Sequence, residues 1–174
     1  MGPMIVLVNV VAGYAAWLGV ALLAARGEPM LAVLPSLGAI MLHLVLTQPG
    51  ARLREANLSL IAAPVGLVVE ALLMRAGVTS YGEGASVAGW PPAFMIGLWM
   101  AFATFINVSL AWLKPRLALA ALLGAVASGP SYLAGSKLGA LTLGEPLWQS
   151  LMTIGLLWAV AFPLLVIVAR RLDR

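Results

Sequence analysis

The sequence predicts an all-α fold, a polytopic transmembrane bundle of about six helices with both termini in the cytoplasm. Three observations carry this reading. Of 174 residues, 63% are hydrophobic and only 9% are charged, whereas a soluble domain carries roughly 25% charge. A water-soluble fold of this length must cover its outer layer with polar groups, a demand that a bilayer removes; the mean hydropathy of +1.05 agrees. Six apolar stretches recur at or near the roughly 20 residues that one membrane crossing needs. The basic residues fall at their ends, unequally between alternate links.

Residues 4–25 form the first stretch. No positive region precedes it beyond the amino terminus, and it is longer than the apolar part of a signal peptide, so we read it as a retained helix. Arg26-Gly27-Glu28-Pro29 makes a tight turn. The second and third stretches, 30–46 and 58–74, are short, and each contains a proline, Pro35 and Pro64. Tilt, kinking and partial re-entry are open for both. Between them a polar loop over 47–57 holds Gln48-Pro49-Gly50 and then Arg52, Arg54 and Glu55. A glycine- and serine-rich loop over 76–91 leads to the fourth helix at 92–113. Lys114-Pro115-Arg116 links it to the fifth at 117–143, and Gly144-Glu145-Pro146 opens the sixth at 147–169. We read residues 1–174 as one transmembrane helical domain.

Orientation follows from charge. Arg52, Arg54, Lys114, Arg116, Arg170, Arg171 and Arg174 occupy one set of alternate links, against Arg26, Arg75 and Lys137 in the other. The positive-inside rule puts the richer set, with both termini, in the cytoplasm. Trp90, Trp112 and Trp148 at segment ends read as an interfacial belt. Trp17, Trp99 and Trp158 lie deeper, where they fill helix contacts or line an apolar cavity.

Composition excludes several chemistries. With no cysteine and one histidine, disulfides, thiolate zinc sites, cysteine nucleophiles and histidine-rich metal sites are out. We assign no metal and no cofactor. The net charge of +4 is accounted for by the segment ends, and no basic patch with interleaved aromatics suggests nucleic acid. H-E-x-x-H, P-loop and G-x-S-x-G signatures are missing. Whether the chain is an enzyme stays open, as does its oligomeric state.

Polar groups inside a span are costly and need partners, so they mark candidate sites. Asn9 lies about 8 Å from the cytoplasmic end of helix one and Asn107 about 9 Å from that of helix four. His43 is within a turn of the same end of helix two. These three share a level. Each asparagine either joins helices or serves a site, and His43 is either a solvated end residue or functional. Glu70 lies about 8 Å below the outer end of helix three, where a carboxylate must be paired, protonated or hydrated. Matched depth and opposite charge suggest an ion pair with Lys137, and Tyr132 is placed to donate to the carboxylate.

Helix five carries Ser128-Gly129-Pro130-Ser131-Tyr132 near its middle. Gly129 and Pro130 either break the helix into halves of the kind that bind ions or substrates in transporters, or kink it while neighbours satisfy the freed groups; we favour the kink. Gly124 with Ser128, and Ser131 with Gly135 and Gly139, are spaced four apart and read as helix-packing stripes.

The chain resembles the bacterial membrane-protein family DUF2878 over nearly its whole length. The residues that carry the resemblance are Asn9 and Trp17, Glu70, Trp90-Pro91, Leu98-Trp99, Phe102, Thr104, Ser109-Leu110 and Trp112-Leu113. To these add the run from Gly129-Pro130-Ser131-Tyr132 to Lys137-Leu138-Gly139-Ala140, which is the most specific part, then Trp158 and Pro163. The family's acidic position is usually Asp, so Glu70 is one methylene longer. The resemblance implies a small multi-pass protein of the bacterial inner membrane whose relatives lie near genes for fatty-acid modification. It implies no activity.

Three functions follow as expectations. An enzyme or accessory factor acting on membrane lipids or fatty acids comes first, with a lipid or small molecule as ligand. An ion-coupled or small-solute transporter is second, and an assembly partner for other membrane proteins third.

Overall fold

The computed structural model describes residues 2–174 and has the six predicted helices: α1 (Pro3–Ala25), α2 (Leu34–Leu46, entered through a 3-10 turn), α3 (Arg52–Arg75), α4 (Ala93–Ile106), α5 (Leu117–Lys137) and α6 (Leu147–Leu172). Four of them, α1, α3, α5 and α6, are long and apolar enough to cross a membrane; α2 and α4 are shorter. Their outward faces expose Leu7, Val11 and Leu18 on α1, Val126 on α5 and Leu156 and Val160 on α6. Such a belt is stable against lipid and not against water. Trp90, Trp112 and Trp148 are exposed at the ends of the apolar runs.

Helix α4 is the centre, packed by α1, α2, α3 and α6, while α5 lies on α6. Glycines set the closest approaches. A Cβ on Gly124 would stand 2.5 Å from the Trp158 carbonyl oxygen, and one on Gly155 would stand 2.8 Å from the Ala125 carbonyl oxygen. Gly124 therefore packs helices as its spacing predicts. The other stripe does not, because Ser131 and Gly135 face a cavity described below. Gly124→Val should cost about 2 kcal/mol, because the clash is with backbone and α5 must move off α6. Reversible unfolding in mixed micelles would register it, and an unchanged midpoint would mean that the two helices are not in contact in solution.

Helix α2 starts at Leu34 rather than at 30, because Leu31–Val33 form its 3-10 entry, and three helix boundaries differ from expectation by more than this. Helix α3 begins at Arg52 rather than at 58, so the second half of the polar loop is its first turn. Helix α4 stops at Ile106 rather than at 113, and a short 3-10 turn over Ala111–Leu113 follows. Its exposed carbonyls need partners, and the Asn9 side-chain amide supplies one by donating to the Thr104 carbonyl at 3.3 Å. Helix α5 stops at Lys137 rather than at 143. Gly139 has φ +87°, and the Ala140 N–H donates back to the Gly135 carbonyl at 3.0 Å. That is a Schellman closure, which an L side chain at the glycine would strain.

Beyond this end, β1 (Thr79–Ser80) pairs antiparallel with β2 (Thr142–Leu143). The two-stranded ribbon ties the α3–α4 loop to the α5–α6 link. The Gly144 N–H extends it by donating to the Val78 carbonyl at 3.0 Å.

Candidate functional site

Glu70 is fully buried, at 0% exposure, near the last turns of α3. Three donors surround it. Its Oε1 accepts from the Trp99 indole N–H at 2.9 Å and from the Tyr132 hydroxyl, and its Oε2 accepts from the Tyr81 hydroxyl at 2.9 Å. The two carboxyl oxygens accept this set without a cation. Each donor has a local cause. The indole approaches because Gly66, one turn before Glu70, leaves room: a Cβ there would stand 2.3 Å from Trp99 Cγ. Tyr132 projects from α5 towards α3. Tyr81 lies just past β1, so the ribbon holds it over the carboxylate. Burial, then the Glu70 charge beside it, pushes the Tyr81 phenol well above its ordinary range, and it stays a donor.

The expected Glu70–Lys137 pair is not formed. Among the described residues no cation is within ion-pair distance of Glu70, and Lys137 is exposed. Helical geometry explains this. Lys137 is five residues past Tyr132, about 140° round the helix, so when Tyr132 faces α3 the lysine faces away. The expected donation from Tyr132 is formed.

Trp99 continues the site inward. It stacks on Trp158 with ring centroids 4.2 Å apart, and Phe102 packs edge-on against Trp158 at 5.1 Å. These aromatics form the floor of a cavity of about 780 Å³, walled by α1 and α5 with residues from Trp17 to Tyr132 and Gly135. It runs along α5 from Leu123 to Gly135, about 18 Å at the helical rise. Tyr14, Pro130 and Ser131 on its walls are exposed, so it opens sideways between α1 and α5. All three deep tryptophans line it.

Helix α5 is continuous through Gly129 and Pro130, so there is no pair of half-helices at this depth. Ser128 does not cap a helix. Its Oγ is buried in the cavity wall with no hydrogen-bond partner among the described residues.

The second polar level lies at the opposite end of the bundle, where the structure brings Asn9, His43 and Asn107 close to one another. Asn9 also accepts from the Ser109 hydroxyl at 2.6 Å. His43 and Asn107 meet at Glu55, 2% exposed, which accepts from His43 Nε2 at 3.2 Å and from the Asn107 amide at 2.8 Å. Arg54 bridges Glu55 at 3.3 Å and Asp173 at 3.1 Å, and Lys114 reaches Asp173 at 2.6 Å. Glu55 was not among the sequence candidates, because it reads as a solvated loop charge. Its available signal was an acidic residue twelve positions after the only histidine, across a short link between helices. Among the described residues no cluster of three metal-ligating side chains occurs.

The chemistry on offer is hydrogen bonding and apolar contact. The cavity is lined by aromatic faces and by Ser131 and Tyr132, with a carboxyl group sealed behind Tyr132 and Trp99. Residues 6–164 match the family described as protein of unknown function (DUF2878), and the chain belongs to that family. Comparison with curated proteins and with solved structures gave no match.

Proposed function

We propose that this DUF2878 protein acts on membrane lipids, as an enzyme or an accessory factor, and holds one acyl chain in the groove between α1 and α5. The observation that carries the reading is the groove itself. Its volume of about 780 Å³ falls within the roughly 300–1,000 Å³ of ligand pockets. Its length exceeds half of the ~30 Å hydrocarbon core, which is the depth of one lipid chain. It opens to the side, where lipid is, and its lining is overwhelmingly apolar. The continuous α5 takes from the transport reading its helix break and leaves it the buried Glu70 alone. The end that collects Arg52, Arg54, Lys114 and Arg116 faces the cytoplasm of a bacterial inner membrane, as the positive-inside rule favours.

The test is lipid retention. Protein purified in mild detergent should keep about one lipid per chain, detected by native mass spectrometry. Ala127→Trp, which projects an indole into the groove from its lining, should release it without lowering the melting temperature. Equal retention by both proteins removes the reading. A lipidomic comparison of membranes with wild-type protein, with Ala127→Trp and with none then separates action on lipids from carriage alone.

A further inference from the structure

The two ends of the groove between α1 and α5 differ. At the outer end its lining is sealed: Val20, Ala21, Phe94 and Leu141 are all buried. The turn that ends α5 meets the last residue of α1 there, since a Cβ on Gly139 would stand 3.5 Å from the Ala25 Cβ. At the inner end the lining is Tyr14, Phe105, Ser109 and Leu110, and none of these is buried. Charge differs as well. The outer end carries Arg26, Arg75 and Lys137 against Glu28, Glu83 and Glu145. The inner end sets Arg52, Arg54, Lys114, Arg116 and the arginines of the carboxy terminus against Glu55 and Asp173, and both acids already hold Arg54. Arg116 is the cation in line with the groove. It precedes α5 as its cap residue, seven positions before Leu123, the innermost residue of α5 on the groove, and a spacing of seven keeps to one helix face. Arg116 is exposed and pairs with no acid among the described residues. One of its donors holds the Trp112 carbonyl at 3.0 Å, and the rest of the guanidinium fork is left for a ligand.

We infer that the groove takes an anionic lipid from the inner, cytoplasmic leaflet, methyl end first, with its head group at Arg116. This rests on the lipid reading above and adds to it an orientation and a head-group class. A closed apolar end accepts the methyl terminus of a chain and would strip a head group of its water, so the head group stays at the open end. Arg116 stands at the right level for it. The 21 residues of α5 rise about 32 Å and so cover the ~30 Å hydrocarbon core, which leaves the cap residue at the head-group layer. Leu123 lies about 10 Å deeper, so the first part of the chain runs past Ser109 and Leu110 and the rest enters the groove. The planar guanidinium matches a phosphate in charge and geometry. A zwitterionic head group brings its own cation to the same place and gains less.

The experiment uses the full chain in nanodiscs of phosphatidylcholine with a trace of one photo-probe, a phosphatidylglycerol or a phosphatidylcholine. Both probes carry the same 18-carbon chains with a diazirine at the methyl end, and the adducts are mapped by peptide mass spectrometry. Yields are normalised to adducts on Leu156, which faces lipid on α6, so that general attraction to a basic surface cancels. Groove adducts should fall at Leu98 or Met95 on α4 and past Ala127 on α5. The phosphatidylglycerol probe should give about fivefold more of them, the effect of one basic residue near an anionic head group. In Arg116→Gln that ratio should fall towards one, and Arg116→Lys should keep most of it. Adducts inward of Ala127, at Leu123, Phe105 or Ser109, overturn the inference and leave the lipid groove standing. So do equal yields from the two probes, or a ratio unchanged in Arg116→Gln. No groove adduct from either probe overturns both readings.

Discussion

Glu70→Ala should lower the unfolding free energy by about 4 kcal/mol, the largest loss from any single side chain in the outer half of the bundle. Two buried donors, the Trp99 indole and the Tyr132 hydroxyl, lose their acceptor, and each orphaned group costs about 1–3 kcal/mol. The space left by the carboxylate adds a cavity term. Tyr81 is only partly buried and can turn to water, so its loss is smaller. The comparison that decides the cause is with Tyr81→Phe, which removes one donor and leaves the carboxylate with two. Single hydrogen bonds between membrane helices average about 0.6 kcal/mol, and Tyr81→Phe should cost no more than about 1 kcal/mol. Glu70→Gln keeps the shape and one accepting oxygen and should fall between them. Lys137→Gln should be near neutral and additive with Glu70→Gln, since the two residues share no contact. Unfolding in mixed micelles should therefore rank Glu70→Ala above Glu70→Gln above Tyr81→Phe. If Glu70→Ala costs no more than Tyr81→Phe, water reaches the orphaned donors and the pocket behind Tyr132 is not sealed.

The contrast between Lys137 and Tyr132 shows what a sequence can and cannot deliver here. Depth was readable, because the rise per residue is fixed once a helix is placed: Asn9, His43 and Asn107 do share a level, and Tyr132 does reach Glu70. Azimuth was readable in part. Tyr132 and Lys137 are five residues apart and cannot face one neighbour together, so charge complementarity was the weaker guide. Trp99 as a donor had no signature, because an indole on an apolar helix reads as packing; its hint was Gly66, one turn before Glu70, where a missing side chain invites a large one. Glu55 was hidden for another reason. A charged residue next to Arg52 and Arg54 looks solvated, and only the early start of α3, with Asn107 arriving from a partner 52 residues away in sequence, buries it. The end of α4 was misplaced by the same omission, since the asparagines that hold it act through tertiary contacts that no local pattern records.

Glu55→Ala should cost about 3 kcal/mol and loosen the inner end of α4. Truncating one partner of a buried hydrogen-bonded charge pair typically costs 3–5 kcal/mol, and access of water at this end brings the expectation to the low side. The structural consequence follows from where Glu55 holds on. Asn107, the residue just past α4, already has an Oδ1 with no partner among the described residues; without Glu55 its amide nitrogen loses its acceptor as well. Of the side-chain bonds from other helices to the end of α4, those from Asn9 then remain, and Ser109, which lines the inner mouth of the groove, is bonded to that same Asn9. Amide exchange over residues 104–110 should rise at least tenfold, roughly the effect of losing 1.4 kcal/mol of local protection. Asp173→Asn is the control, because its ion pairs with Arg54 and Lys114 are about a third exposed and such pairs contribute at most about 1 kcal/mol. A cycle of Glu55→Ala with Asn107→Ala should show a coupling of about 1 kcal/mol. If exchange over 104–110 stays at the wild-type rate while stability falls, Glu55 secures only α2 and α3. The end of α4, and with it the inner mouth of the groove, would then be set by Asn9 and not by the charged network.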